Sequence, residues 1–245
     1  MVEPLFRKDF AVAPNIGDTV ELGGDEGKHA AAVRRMRVGE GIQLTDGRGL
    51  RVRGLVTEVL PKSLKISVSS ANHEPKDQLE LVLVQALAKG DRDELAIQAA
   101  TELGVSAVIS WQAERSISRW DAAKAAKGQA RWQVICDEAA KQSLRVWHPR
   151  VEALVTSEQL VARIGEFAQV LVLDPTAEAG IAGVSIKPGK VAIVVGPEGG
   201  IDDSELAAFE KAGAQRVRLG EPILRTSTAG VVAISAIQTV SGYFN

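Results

Sequence analysis

Two glycine- and proline-rich loops in the last quarter of the chain carry the residues best suited to binding a ligand. The first loop, GPEGG at residues 196–200, follows an apolar run at residues 191–195. That run has the length and β-branching typical of a fully buried strand. The second loop, GEP at residues 220–222, follows a second short predicted strand at residues 216–219. Because glycine has no side chain, the backbone of such loops can approach a ligand closely.

A helix is predicted after each loop, so strands and helices alternate here. Asp202 stands at an N-cap position, and Glu205 completes a capping box for a helix that ends at Gly213. Thr226 is the predicted N-cap of a last helix, which extends to residue 242. In open α/β sheets, ligands bind just beyond the carboxyl ends of the strands. We therefore expect the two loops to lie together at one edge of a sheet.

The middle of the chain repeats the alternation of buried strands with helices. A helix at residues 91–103 separates two apolar runs. Short βαβ units of this kind imply a parallel sheet. The remaining elements predicted after residue 78 are strands at 79–87, 105–111 and 170–173 and helices at 121–144 and 157–164. This pattern predicts an α/β fold built on a parallel sheet.

The first 70 residues instead predict a small β-rich domain. Its strands are expected at residues 19–22, 41–45, 51–59 and 64–68. The segment Asp46-Gly47-Arg48-Gly49 is a strong hairpin turn signal. Residues 70–78 are polar, contain a proline and are typical of an interdomain linker. We therefore predict two domains, at residues 1–72 and 73–245.

A basic cluster closes a predicted helix in the first domain. Arg34, Arg35 and Arg37 follow a stretch with acidic residues in its first turn and alanines after it. These arginines have two possible roles. They either form a solvated basic helix end, which the helix dipole favours, or bind RNA. Residues 1–72 carry a net charge of +2 and the remainder −4, which points RNA contact toward the N-terminal part.

Composition excludes several other classes of protein. The single cysteine, Cys136, rules out an internal disulfide, fits a reducing cytoplasm and is expected in the core. Three scattered histidines offer no metal-ligand spacing, so no metal site is predicted. No apolar run reaches membrane-spanning length, and no signal-peptide pattern begins the chain. We expect a soluble, cytoplasmic protein with a sizeable core.

Several short motifs in fixed order resemble the SPOUT methyltransferases, and most closely the ribosomal RNA small subunit methyltransferase E family. The strongest are GPEGGIDDSE at residues 196–205 and LGEPILRTSTA at residues 219–229. The family has Glu where this chain has Ser227, which puts a role for that side chain in doubt. Four weaker motifs precede them in the family's order: KGD at 89–91, TELG at 101–104, ERS at 114–116 and EAAKQSLR at 138–145.

The resemblance implies an activity and an architecture. Such proteins use S-adenosyl-L-methionine (SAM) to methylate uracil N3 in 16S ribosomal RNA. The first domain would be a PUA-like β-barrel that binds RNA, and the second a SPOUT domain whose C-terminal segment forms a deep trefoil knot. The expected partners are 16S ribosomal RNA or the assembled small ribosomal subunit, together with a second copy of the chain in a homodimer. The apolar stripe of the last helix is wide enough for burial inside the subunit or for covering by a second copy.

The resemblance and the loop chemistry together nominate site residues. Arg225 and Glu198 are the candidate catalytic residues. Arg225 would stabilise negative charge on the uracil, and Glu198 would either accept a proton or hold its loop in place. The predicted SAM-binding residues are Leu173, Gly196, Pro197, Glu198, Gly199, Gly200, Leu219, Gly220, Ile223, Leu224, Thr226 and Thr228. The predicted RNA-binding residues are His29, Arg34, Arg35, Arg37, Lys89, Arg115, Gln142 and Arg145.

The sequence argues against two other enzyme classes and leaves two alternative functions open. A dinucleotide dehydrogenase would need a GxGxxG loop in its first βα unit, and a P-loop nucleotidase would need GxxxxGK followed by Ser or Thr. The chain has neither pattern. A non-catalytic RNA-binding factor in ribosome assembly is the main alternative from another class, and it would not need a SAM site. A SPOUT methyltransferase with a different RNA target is the second alternative.

Overall fold

The computed structural model describes residues 2–243, which divide into two compact units. The first unit comprises Met1–Lys76 together with Ala140–His148, and the second comprises Asp77–Ala139 and Pro149–Asn245. The division falls close to the predicted boundary at residue 72. The short segment Ala140–His148 returns to the first unit, which the sequence did not indicate.

The first unit is built on a five-stranded sheet. Its strands, in the spatial order β1-β3-β4-β5-β2, pair antiparallel except for the parallel pair β1 and β3. Alternate residues point into one core because successive side chains of a strand face opposite sides. The strands are β1 (Leu5–Arg7), β2 (Thr19–Leu22), β3 (Gly41–Thr45), β4 (Leu50–Leu60) and β5 (Ser63–His73).

Two features of this unit differ from the sequence-based expectation. The predicted linker at residues 70–78 begins too early, because β5 continues to His73 and pairs there with Leu50 of β4. Strand β1 was missed because it has three residues, too few to show a period. The hairpin turn at residues 46–49 is confirmed, since it joins β3 to β4.

The basic cluster follows an irregular helical segment. Helix α1 (Gly24–Lys28) continues into a π-helical turn, His29–Val33. Arg35 then adopts a left-handed backbone conformation with φ of 54°, which is uncommon for a residue other than glycine. Met36 is buried in the core, while Arg34 and Arg35 are exposed. The arginines therefore extend from a turn that the buried methionine anchors.

The second unit is an α/β sandwich around six parallel strands in the order β11-β9-β10-β6-β7-β8. The strands are β6 (Leu79–Ala86), β7 (Ala107–Gln112), β8 (Arg150–Thr156), β9 (Gln169–Leu173), β10 (Gly189–Val195) and β11 (Gln215–Val217). The helices are α2 (Arg92–Glu102), α3 (Ala122–Gln142), α4 (Ser157–Arg163), α5 (Asp203–Lys211) and α6 (Thr226–Val240). The last residues of α3, from Ala140, belong to the first unit.

The central strands contribute side chains to two separate cores, one on each face of the sheet. In β10, Val191, Ile193 and Val195 enter the core shared with α2, α3 and α6, whereas Ala192 and Val194 enter the core shared with α4 and α5. A strand that is buried on both faces reads as a continuous apolar run, which is why β10 was visible in the sequence. Cys136 is fully buried, as predicted.

The strand order places β9, β10 and β11 side by side. Their carboxyl ends meet at one edge of the sheet because the strands are parallel. The predicted α/β fold with a parallel sheet is therefore confirmed, and both glycine-rich loops leave the sheet at this edge. Strand β8 was missed, because it lies at the other end of the sheet and buries only Val151 and Val155. Over residues 2–243, no helix is long and apolar enough to cross a membrane.

Candidate active site

A cavity of 510 Å³ lies at the carboxyl ends of β9, β10 and β11. This volume is within the range of sites for small molecules and cofactors. Its apolar walls include Leu173, Leu219 and Leu224. The cavity brings together ten of the twelve predicted SAM-binding residues, namely Leu173, Gly196, Pro197, Glu198, Gly200, Leu219, Gly220, Ile223, Leu224 and Thr226. Ile223 lies at the edge of this wall and is 80% exposed.

The GPEGG loop is held by the loop that follows β6. The Glu198 carboxylate accepts hydrogen bonds from the Lys89 backbone N–H and from Arg92 Nη1, each at 3.0 Å. Burial alone would raise the pKa of Glu198, but hydrogen bonds from its own backbone, from Lys89 and from Arg92 outweigh burial and lower it. A carboxylate with a lowered pKa is a poor proton acceptor. The geometry therefore favours the loop-holding role of Glu198 over a role as general base.

A second clamp comes from the loop that follows β7. Arg115 Nη2 lies 2.9 Å from the Asp202 carboxylate at the start of α5. Asp202 and Glu205 form the predicted capping box, which is confirmed. Glu205 is buried and also accepts a hydrogen bond from the Glu114 backbone N–H at 2.8 Å. Glu205 thus ties the GPEGG loop and its helix to the loop after β7.

The third clamp is a buried hydrogen-bond chain at the start of α6. The Thr226 hydroxyl donates to the Gly196 carbonyl at 2.8 Å and accepts from Gln85 Nε2 at 2.9 Å. Thr226 is 6% exposed and Gln85 is fully buried. The prediction of Thr226 as an N-cap is therefore wrong: Arg225 is the N-cap residue, and the Thr226 hydroxyl is used by a loop thirty positions earlier. Gln85 Oε1 has no partner within residues 2–243.

Arg225 lines the cavity with a free side chain. It is exposed, and among the described residues its guanidinium makes no hydrogen bond or ion pair. The alternative role for Arg225 is an ion pair with Glu198 or Glu221 that holds the loops together. The structure pairs Glu198 with Arg92 instead. The Arg225 guanidinium thus remains available to a ligand at the cavity mouth.

Two predicted SAM-binding residues lie outside the lining of the cavity. Gly199 faces the loop after β7, and a Cβ atom added there would lie 3.3 Å from Arg115 Cβ. The Thr228 hydroxyl donates to the Arg225 carbonyl at 3.1 Å and so stays within the first turn of α6. Gly199 therefore matters to the packing of the two loops, and Thr228 to its own helix.

The predicted RNA-binding residues fall into two groups. Six belong to the first unit: His29, Arg34, Arg35, Arg37, Gln142 and Arg145. Of these, His29 is half-buried against the edge of Phe6, and Arg37 is exposed. Lys89 and Arg115 belong to the second unit, where Arg115 lines the cavity beside Asp202.

Sequence reasoning missed three charged residues of the cavity lining, namely Arg92, Asp174 and Asp203. Arg92 was overlooked although it directly follows the KGD motif, and its ion pair with Glu198 joins segments more than a hundred positions apart. Asp174 is buried at the end of β9 and pairs with Arg216 of β11. Its position directly after a buried strand was the available signal. Within residues 2–243, no cluster of His, Cys, Asp and Glu could hold a metal ion.

Comparison with known families defines the class of protein. A model of the RNA methyltransferase domain matches residues 75–238, and a model of the RNA methyltransferase PUA domain matches residues 22–69. A solved ribosomal RNA small subunit methyltransferase E from Neisseria gonorrhoeae, bound to S-adenosyl methionine, is similar with a TM-score of 0.86. It has 30% identity, and 98% of each chain is covered. The fold is that of an RNA methyltransferase with a PUA domain.

Similarity to curated proteins narrows the class to one family. The ribosomal RNA small subunit methyltransferase E of Mycobacterium bovis is 42% identical over 242 residues, which cover 97% of this chain and 92% of the relative. The protein of the same name from Bacillus subtilis is 32% identical, with 89% of each chain covered. The chain belongs to the ribosomal RNA small subunit methyltransferase E family.

Proposed function

We propose that this protein transfers a methyl group from SAM to uracil N3 in 16S, small-subunit ribosomal RNA. The observation that carries the proposal is the cavity at the ends of β9, β10 and β11, with the unpaired Arg225 at its mouth. Family membership and the SAM bound to the Neisseria relative support the same function.

The lining of the cavity fits SAM. Leu173, Leu219 and Leu224 offer apolar walls for the adenine, and the glycine-rich loops offer backbone donors and acceptors for its edges. SAM supplies an electrophilic methyl group on a positively charged sulfonium. The three clamps on the GPEGG loop fix those backbone groups before the ligand arrives, which lowers the entropic cost of binding.

Arg225 would stabilise the charge that develops on the uracil that accepts the methyl group. Uracil N3 carries an imide proton, and as this proton passes to solvent, negative charge develops on N3 and on the neighbouring carbonyl oxygens. N3 would then accept the methyl group, and the donor's sulfur would keep the electron pair of the broken S–C bond. A guanidinium is always charged and presents several donors in a fixed fork, so it can hold such an oxygen more tightly as charge develops. The Glu198 carboxylate accepts hydrogen bonds from Lys89 and Arg92 and so holds the GPEGG loop in place. Because N3 lies on the pairing edge, the base must be unpaired or flipped out of its stack.

The domain roles follow from the same proposal. Residues 1–72 would bind RNA through Arg34, Arg35 and Arg37, and residues 73–245 would hold SAM and the reacting base. The exposure of the three arginines supports this role, because counterion release needs accessible cations. The activity would take place in the cytoplasm, on ribosomal RNA or on the assembled small subunit.

We also propose that the protein acts as a homodimer whose interface includes α6. Ile234 and Ile237 are buried inside their own unit, but Val232 and Val240 of the same helix are 41% and 49% exposed. Exposed apolar side chains on the helix that also lines the cavity support a second copy of the chain as their cover. The trefoil knot that the resemblance implies stays a prediction.

One experiment tests the function and its alternatives. The protein is incubated with labelled SAM and with either free 16S ribosomal RNA or small ribosomal subunits that lack the modification, and the modified nucleotide is mapped. We expect label at N3 of one uridine. Label at another base or on ribose would mean that the enzyme has a different RNA target. Tight RNA binding without SAM binding would favour the non-catalytic assembly factor.

A further inference from the structure

A second cavity in the second unit has no role in the site described above. Its volume is 260 Å³, about half that of the first cavity. It lies between the loop after β6, the loop after β7 and the start of α3. The residues that give it chemical character are Asp93, Trp120, Lys124, Lys127, Gly128 and Trp132.

Trp120 forms an aromatic wall of this cavity and is held firmly. The six-membered part of its ring lies directly on α3 at Gly128, where an added Cβ would come within 2.4 Å of Trp120 Cη2. Trp132 meets the ring edge to face, with 5.4 Å between centroids. The Trp120 backbone N–H donates to Gln112 Oε1 at 3.0 Å. Trp132 is buried but Trp120 is only half-buried, so part of a fixed indole faces the cavity.

Two unpaired cations stand on the same helix. Lys124 and Lys127 are three positions apart, so they lie on one face of α3, and both are exposed. Neither makes an ion pair with any residue that the structure describes. One turn further along, Arg131 is paired with Glu94, whose charge it compensates. The cavity therefore presents two free positive charges beside an aromatic wall.

One loop borders both this cavity and the proposed active site. The buried Asp93 carboxylate accepts hydrogen bonds from the Ala88 and Glu94 backbone N–H groups, at 3.1 and 2.9 Å. These bonds shape the loop at residues 88–92. The far side of that loop holds Glu198 through Lys89 and Arg92. The same short loop thus contributes Ala88 and Gly90 to this cavity and Arg92 to the first cavity.

We propose that the second cavity binds one nucleotide of the RNA substrate that flanks the methylated uridine. Its base stacks on Trp120, and its phosphate lies near Lys124 and Lys127. An aromatic face with adjacent cations is how proteins hold single-stranded nucleic acid, and the target base must leave its helix to react. This inference rests on the proposed function, because it takes the ligand of the first cavity to be the reacting base and its methyl donor.

The test measures RNA binding first and methyl transfer second. The substrate is the small ribosomal subunit, reconstituted from unmodified ribosomal RNA. The variants are Trp120→Leu, Trp120→Phe and the double change Lys124→Gln with Lys127→Gln. The matched control is Lys211→Gln, an exposed lysine in α5 on the other face of the sheet.

We expect Trp120→Leu to weaken RNA binding and raise the KM for RNA by about 5- to 150-fold, which is the usual range for a lost base stack. Trp120→Phe should recover most of the loss. The lysine pair should reduce the slope of log affinity against log salt by roughly one unit per lost phosphate contact, and Lys211→Gln should leave it unchanged. SAM affinity and kcat should match the parent in every variant.

A double-mutant cycle identifies the nucleotide. Each position that flanks the target is replaced in turn by an abasic nucleotide, and binding is measured with the parent and with Trp120→Leu. At one position the two losses should not add, because the abasic site removes the base that the indole contacts. Additive losses at every position, or a lysine pair with the salt slope of Lys211→Gln, would overturn the proposal. If the unmutated protein binds subunits but does not methylate them, the proposed function is refuted. The comparison of RNA binding among the variants would still decide whether the second cavity binds RNA.

Discussion

Replacing Thr226 by Val tests the buried chain of hydrogen bonds under the GPEGG loop. Valine keeps the shape and the β-branching of threonine and removes only the hydroxyl. That hydroxyl donates to the Gly196 carbonyl at 2.8 Å and accepts from Gln85 Nε2 at 2.9 Å. Gln85 Nε2 keeps a second acceptor, the Ala86 carbonyl at 3.2 Å, so the amide loses one of its two bonds.

The expected loss of stability follows from these two bonds. Each ordinary hydrogen bond contributes about 0.5–1.5 kcal/mol net, so Thr226→Val should lower the free energy of unfolding by about 1–3 kcal/mol. Thr228→Val is the matched control, since it makes the same change two positions later in the same helix. The Thr228 hydroxyl is exposed and bonds only the Arg225 carbonyl, so its loss should stay within about 0.5 kcal/mol.

Urea unfolding of both variants measures the difference. The midpoint should fall in Thr226→Val with an unchanged slope, which indicates a change of stability and not of the unfolded state. Thr226→Ser, which keeps the hydroxyl, should recover part of the loss. Calorimetry should also find weaker SAM binding in Thr226→Val, because Gly196 loses its anchor. Equal stability of the two valine variants would refute the role given to this hydroxyl.

Three further predictions concern other parts of the molecule. Arg225→Ala should lower single-turnover methyl transfer by about 10²–10³-fold and leave SAM affinity nearly unchanged; an equal loss of SAM affinity would make the arginine structural. Arg35→Ala should reduce the slope of log RNA affinity against log salt by roughly one unit and leave the affinity for SAM unchanged. An unchanged slope would mean that the arginines form only a solvated turn and do not contact RNA phosphates. Asp174 is buried, but hydrogen bonds from Thr176 and Arg216 lower its pKa below the ordinary 3.8, so it stabilises the fold above that pH. That contribution should disappear as the pH falls through the lowered pKa, and Asp174→Asn should flatten the acid limb of the stability curve.

The elements that the sequence revealed are those whose own residues determine them. Strands β6, β9 and β10 are apolar on both faces and were expected within two residues of their observed ends. The capping box at Asp202 is local and was read directly. Strand β8 and the end of β5 each depend on pairing with another strand, namely β7 and the start of β4. Their polar residues gave no local signal, because pairing supplies the hydrogen bonds that fix them.

The site shows the same division between local and distant causes. Most of the cavity lining was predicted, because two loops that follow parallel strands must meet at one edge. Thr226 was misassigned because threonine before a helix usually caps it, and only the fold brings Gly196 and Gln85 to its hydroxyl. The role of Glu198 was left open for the same reason: its partner, Arg92, is 106 positions away.

The three clamps on the GPEGG loop should differ in strength. The pairs Arg92–Glu198 and Arg115–Asp202 involve guanidinium side chains that are 42% and 44% exposed, so water and salt screen them and each contributes little to stability. The Thr226 bond is buried, and its loss leaves polar groups without water to replace their partners. Among these three contacts, the uncharged bond between Thr226 and Gly196 therefore contributes most to the position of the loop. It follows that SAM binding should tolerate high salt, whereas RNA binding through exposed arginines should not.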